Sequence, residues 1–136
     1  MRVFLDSDVV ISSLLSNKGA AYILFHTPEI TRFISTISFN ELRVVCKRLD
    51  IQSGLLETLI QKKCSKVIIH EQSVKSTFLK FVSDPNDAHI VAGAAAAKAT
   101  HLISYNLKHF KKNKIKDDLD MLLMTPAMFL QYLRSN

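Results

Sequence analysis

Residues 2–8, Arg-Val-Phe-Leu-Asp-Ser-Asp (RVFLDSD), run an apolar stretch straight into two carboxylates separated by one serine. A short apolar run with no polar alternation suits a strand covered on both faces, as in a parallel sheet. Carboxylates at its end sit where such a strand surfaces. Four more runs share this character: RFISTI at 32–37, KVIIH at 66–70, HLIS at 101–104 and MLLM at 121–124. They are rich in β-branched, aromatic and large aliphatic residues. Between them the pattern shifts to a helical period, so the chain reads as an α/β domain with a largely parallel five-stranded sheet.

The clearest helix is 38–49, where Leu42, Val45, Cys46 and Leu49 form one apolar stripe and Ser38 with Glu41 makes the S-x-x-E of a capping box. Segments 18–26 and 52–63 also read as helical. The run DAHIVAGAAAAKA at 87–99 opens on an acid that can cap it, and its small residues let a helix approach a sheet closely. Thr125 and Pro126 mark the N-cap and first position of a last helix.

With 136 residues, 48% of them hydrophobic, the chain can bury a substantial core, and a single domain over 1–136 is expected. Three glycines, three prolines and 22% charged residues exclude extended disorder. A net charge of +6 favours an anionic partner such as nucleic acid. Part of that excess is local: Lys108, Lys111, Lys112, Lys114 and Lys116 precede Asp117, Asp118 and Asp120, either as a solvated loop or as a face toward RNA. Cys46 and Cys64 have no metal-ligand spacing and suit a reducing compartment. With neither a leader-like nor a membrane-spanning run, the expected location is cytoplasmic. Histidines 26, 70, 89, 101 and 109 show no ligand spacing, and His89, the nearest to an acid, reads as an ordinary helix residue.

Three acids share one kind of position. Asp6 follows the first strand, Glu41 falls in the first turn after the second, and Asp87 opens the helix leading to the fourth. Ligands of open α/β sheets bind outside the carboxyl ends of the strands, where strand order reverses. Taken singly, each acid is better explained as a helix cap, and it is the combination that points to a site. Asp84 reads as the opener of the turn DPND.

The stretches VFLDSDVVISSLL, TISFNEL, DPNDAHIVAGAAAAKATHLISYNLKHF and LLMTPAMFLQYL together resemble, in order, the four motif blocks of the PIN domain family. Where the family's first block commonly reads Asp-Thr-Asn, this chain has Asp6-Ser7-Asp8. Its third block ends in Ser104-Tyr105-Asn106, the Asn standing where some members carry a fourth acid. The resemblance implies a three-layer α/β/α fold with strand order 3-2-1-4-5. It also implies a metal-dependent endoribonuclease, with many short members resembling VapC-type toxins of type II toxin-antitoxin pairs. On that reading Asp6 and Asp87 are the principal ligands of Mg²⁺ or Mn²⁺. Glu41 is a third ligand or orients the attacking water, and Ser7, Asp8, Ser104 and Asn106 support them by hydrogen bonds. An RNA substrate, a homodimer and a small antitoxin are the implied partners. The donor chemistry agrees independently, since hard divalent cations take carboxylate oxygens and keep several waters.

Other readings share the outline. A phosphoryl-accepting receiver module would need an acceptor Asp after the third strand, where Glu71 and Gln72 stand. A PIN nuclease acting in RNA processing, or an inactive PIN-fold binding module, remains open, although Asp6, Glu41 and Asp87 speak for activity.

Overall fold

A computed structural model describes residues 1–135, with the backbone alone for Gln72, Ser73 and Lys75. Strands β1 (Arg2–Leu5), β2 (Thr31–Ser35), β3 (Cys64–Val67), β4 (His101–Ile103) and β5 (Leu122–Met124) form one sheet in the order β3-β2-β1-β4-β5, every neighbouring pair parallel. This is the expected topology. Strand order reverses at β1, which pairs with β2 on one side and β4 on the other: Phe4 lies opposite both Phe33 and Leu102.

The alternation of side chains along each strand sorts the core into two halves. Phe4, Phe33, Leu102 and Leu123 enter one cluster, with Val74, Val91 and Ile115 from helices α5 (Glu71–Phe78), α6 (Ala88–Ala96) and α7 (Lys112–Leu119). Val3, Leu5, Ile34 and Ile103 enter the other. There they meet Val9, Leu24, Leu42, Leu56 and Phe129 from α1 (Ser7–Leu15), α2 (Ala20–Phe25), α3 (Thr36–Arg48), α4 (Leu55–Lys63) and α8 (Pro126–Ser135). Two helical layers thus enclose the sheet. The small residues of α6 bring it close to the strands: a Cβ on Gly93 would lie 2.5 Å from Phe4 Cζ and 3.3 Å from Ser35 Cβ. Since Phe4 is wholly buried and cannot swing aside, only glycine fits there.

Several boundaries differ from the sequence reading. The proposed capping box of Ser38 and Glu41 does not form. Ser35 instead ends β2 in extended conformation and caps α3, its Oγ accepting from Ser38 N at 3.0 Å. The helix therefore begins at Thr36, the strand does not reach residue 37, and Glu41 lies in the second turn, its carboxylate free of any capping duty. Asp87 likewise makes no side-chain cap on α6. Asp84 takes that role one turn earlier, accepting from Asn86 N at 2.9 Å to open a 3₁₀ turn over Pro85–Asp87. At the sheet edge β3 pairs through Cys64–Val67, not 66–70, and Ile68 is 74% exposed.

Helices α5 and α7 were not expected, and α1 was implied only by reading Asp6 as a helix cap. The lysine-rich stretch in particular is no loop from Lys112 onward, since Ile115 anchors α7 in the core. The last helix starts as expected, with Thr125 Oγ1 accepting from Met128 N at 3.2 Å. Among the described residues no helix is long and apolar enough to cross a membrane.

Candidate active site

Asp6 leaves β1 at the strand-order reversal, tied to the sheet by its N–H donating to Ile103 O at 2.9 Å. It is the N-cap residue of α1, and its Oδ1 accepts from Ser7 N at 2.7 Å. Its Oδ2 accepts from Ser104 Oγ at 2.8 Å, so the residue just past β4 fixes the plane of the carboxylate. Asp8, on the first turn of α1, turns to the same segment: its Oδ2 accepts from Tyr105 N at 3.1 Å and from Asn106 Nδ2 at 2.9 Å. Asp8 is therefore no helix cap. Asn106 N in turn donates to Ser104 Oγ at 3.0 Å, closing a short network between β1 and β4.

Asp87 reaches the same edge from the other layer, at the end of the 3₁₀ turn before α6, with His109 Nδ1 3.4 Å from its Oδ2. Glu41, exposed on α3, meets His89 Nε2 at 3.2 Å. Sequence spacing gave no reason to include either histidine. Each is brought in by topology: His89 follows Asp87 on α6, and His109 ends the 3₁₀ turn after β4.

The electrostatics show that these acids sense one another. Burial pushes the Asp6 carboxyl above its ordinary value, opposed by the hydrogen bonds from Ser104 and Ser7 and by His89 and His109. Asp8 is raised to about 6, first by burial and then by the charge of Asp6. Burial also raises Asp87, with Asp6 and Asp84 adding to the rise and His109 and His89 opposing it.

Among the described residues, four buried side-chain polar atoms lack a hydrogen-bond partner, and three of them, Ser7 Oγ, Asp8 Oδ1 and His89 Nδ1, belong to this edge. Buried polar atoms are ordinarily satisfied, so such a concentration marks a place built for something other than stability. Hard oxygen donors, desolvated and mutually repelling, match a divalent cation in kind. Their side chains do not converge on a single point: among the described residues no three His, Cys, Asp or Glu side chains are grouped closely enough to hold an ion. Glu41 meets His89 through Oε1 and Asp87 meets His109 through Oδ2, which leaves the second oxygen of each carboxylate clear of its imidazole. Beside the acids, a groove of about 530 Å³ runs between α1 and α3, with Asp8 and Glu41 among its lining and Ile11, Leu15, Leu42 and Val45 supplying its apolar walls.

A sequence profile for the PIN domain matches residues 2–108, and the chain belongs to that family. The computed fold is similar to that in the crystal structure of VapBC2 from Rickettsia felis bound to a DNA fragment from their promoter. The TM-score is 0.57 and the identity 16%, over 90% of this chain and 97% of that one. It is also similar to VapBC-1 from nontypeable Haemophilus influenzae, with a TM-score of 0.56 and 18% identity, covering 93% of this chain and 99% of that chain. No curated protein matches the sequence.

Proposed function

We propose that this PIN domain is a divalent-metal-dependent endoribonuclease and the toxin of a toxin-antitoxin pair, acting in the cytoplasm. The observation that carries the enzymatic reading is that desolvated carboxylates and polar atoms without a protein partner lie along one edge, at the strand-order reversal. Asp6 and Asp87 are the principal holders of Mg²⁺ or Mn²⁺, with Glu41 as a third. A bound cation of this kind lowers the pKa of water and offsets charge developing on a phosphodiester. The chain's own part is placement. Ser104 keeps the Asp6 carboxylate from rotating, Asn106 holds Asp8 beside it, and the rigid exits of β1 and β4 set the distance between them.

The toxin reading is supported by the likeness to two VapBC structures, and an antitoxin follows from the same likeness. For a homodimer the support lies on α8, where Met128 is 39% exposed beside half-buried Leu130, Tyr132 and Leu133. Purified protein should cut RNA with Mg²⁺ or Mn²⁺ and stop on chelation. Cleavage undiminished in excess EDTA overturns the metal mechanism. Expression should arrest growth unless a small protein from the adjoining reading frame is co-expressed, and light scattering should report a dimer.

A further inference from the structure

Residues 104–112 leave β4 and cross the whole acidic edge. Their first part holds Asp6 and Asp8 through Ser104, Tyr105 and Asn106, and further along the segment His109 meets Asp87. The segment is pinned along its length. Ser83 N donates to His109 O at 2.9 Å, Lys111 N donates to Phe81 O at 2.9 Å, Phe110 is buried, and Val82 and Phe110 form an isolated antiparallel bridge. The backbone that carries its exposed side chains is therefore held relative to the carboxylates.

It presents an aromatic ring and three ammonium groups. Tyr105 is 42% exposed, its hydroxyl 3.4 Å from Ser12 Oγ on the α1 side. Lys108, Lys111 and Lys112 are exposed, and among the described residues none of them forms an ion pair. Asp118 on α7 pairs with Lys80 and Lys114. Nor does the stability of α7 account for them, because lysines at its start and acids at its end oppose the helix dipole.

We propose that residues 105–112 form a rail for single-stranded RNA, with Lys108, Lys111 and Lys112 taking backbone phosphates and Tyr105 stacking on a base beside the cleavage site. The proposal rests on the ribonuclease reading and adds the surface that delivers the substrate. A set of carboxylates repels a polyanion, and unpaired cations on the segment that crosses it offset that repulsion. An exposed ring is the sequence-tolerant complement, since every base has a face to stack.

The test is the salt dependence of binding of a short fluorescein-labelled single-stranded RNA, measured by anisotropy in EDTA so that the probe stays whole. Each phosphate neutralised on a single strand contributes about 0.7 to the slope of log K against log salt, so the Lys108→Ala/Lys111→Ala/Lys112→Ala protein should lose about 2 from that slope. A Lys47→Ala/Lys62→Ala control, on the last turns of α3 and α4, should keep the wild-type slope. Tyr105→Ala should weaken binding roughly 5- to 100-fold with the slope unchanged, and Tyr105→Phe should restore it. A triple variant with the wild-type slope, or a control that loses as much, overturns the rail while leaving RNA cleavage standing. Wild-type protein that binds the probe and never cleaves it with Mg²⁺ sinks the nuclease reading alone. Absence of salt-dependent binding in the wild type sinks the rail.

Discussion

Arg32 on β2 and Asp6 just past the end of β1 lie near opposite ends of the same sheet, and both take charge out of water, yet the two ends hold that charge differently. Its Nε donates to Leu24 O at 3.0 Å, Nη1 to Ile30 O at 3.3 Å and Lys63 O at 3.5 Å, and Nη2 to Thr27 O. Two of those carbonyls lie in the last turns of α2 and α4, where orphan acceptors and the helix dipole both favour a cation. At the other end, Asp8 keeps one oxygen without a hydrogen-bond partner, and Asp6, Asp8 and Asp87 all hold their protons more tightly than carboxylates in water. A buried cation bonded to carbonyls of several elements ties those elements together. Half-buried charges of one sign, raised in pKa and gathered from both helical layers, have the character of a candidate site and not of a staple.

The largest effects expected from this contrast are on cleavage. Asp6→Asn or Asp87→Asn should reduce RNA cleavage beyond the roughly 10- to 100-fold that losing an outer hydrogen-bond partner of a metal ligand costs. Melting in EDTA should stay level or rise, because a repelling charge has gone. A variant that melts lower and cuts normally would show that its carboxylate serves the fold.

Next in size is the reverse case. Arg32→Met leaves carbonyls buried without donors and should destabilise the protein by on the order of 3 kcal/mol, read by urea denaturation. Activity per folded molecule should not change. If Arg32→Met melts normally and loses cleavage, the division between the two ends is wrong.

His101 offers a subtler comparison, since it sits at the Arg32 end of the sheet and is not saturated. Its ring lies edge-on to Phe129 at 5.0 Å, Nδ1 is 2.9 Å from Thr100 Oγ1, and Nε2 is buried with no partner. Burial lowers its pKa from the ordinary 6.5. The stability due to the neutral ring is therefore complete above 6.5 and is lost as pH falls below that value toward the folded pKa. His101→Gln should flatten this acid-side loss, and an unchanged pH profile would place the titration elsewhere.

Much of this was legible in the sequence, for physical reasons that also explain the failures. Strands β1 and β4 are buried on both faces, and β5, though at an edge, keeps Leu122 and Met124 half-covered, so apolar runs marked all three to within a residue. Edge strand β3 is not, and the run KVIIH drew the reading toward Ile68, a side chain that the fold leaves in solvent. Helix α1 was hidden because Val9, Val10 and Ile11 favour strands, and burial of Val9 and Val10 against the sheet overrides that propensity. In α7 a single buried residue, Ile115, leaves almost no periodic signal. Asp6, Glu41 and Asp87 could be picked out by their positions after strands and at helix starts. Their neighbours His89 and His109 could not, because the contacts that bring them in link residues distant along the chain.

The smallest expected effect belongs to Asp8, whose carboxyl is only partly shielded from solvent, and it runs opposite in sign to that of His101. Its folded pKa stands near 6 against an ordinary 3.8. The folded protein therefore binds the proton more tightly than the unfolded chain. The stability attached to the protonated form is complete below 3.8 and is lost as pH rises through about 6. Asp8→Asn keeps an oxygen able to accept from Tyr105 N and Asn106 Nδ2 while removing the charge. In EDTA it should melt above wild type at neutral pH, with the advantage closing as the buffer approaches the ordinary aspartate value. An advantage that persists in acid would trace to packing or hydrogen bonding, not to charge. Calorimetric Mn²⁺ titration separates the two acids of the first block, since Asp6→Asn should lose the ion and Asp8→Asn should keep it. If the reverse is found, the ion is held by the helix α1 side chain and Asp6 is its support.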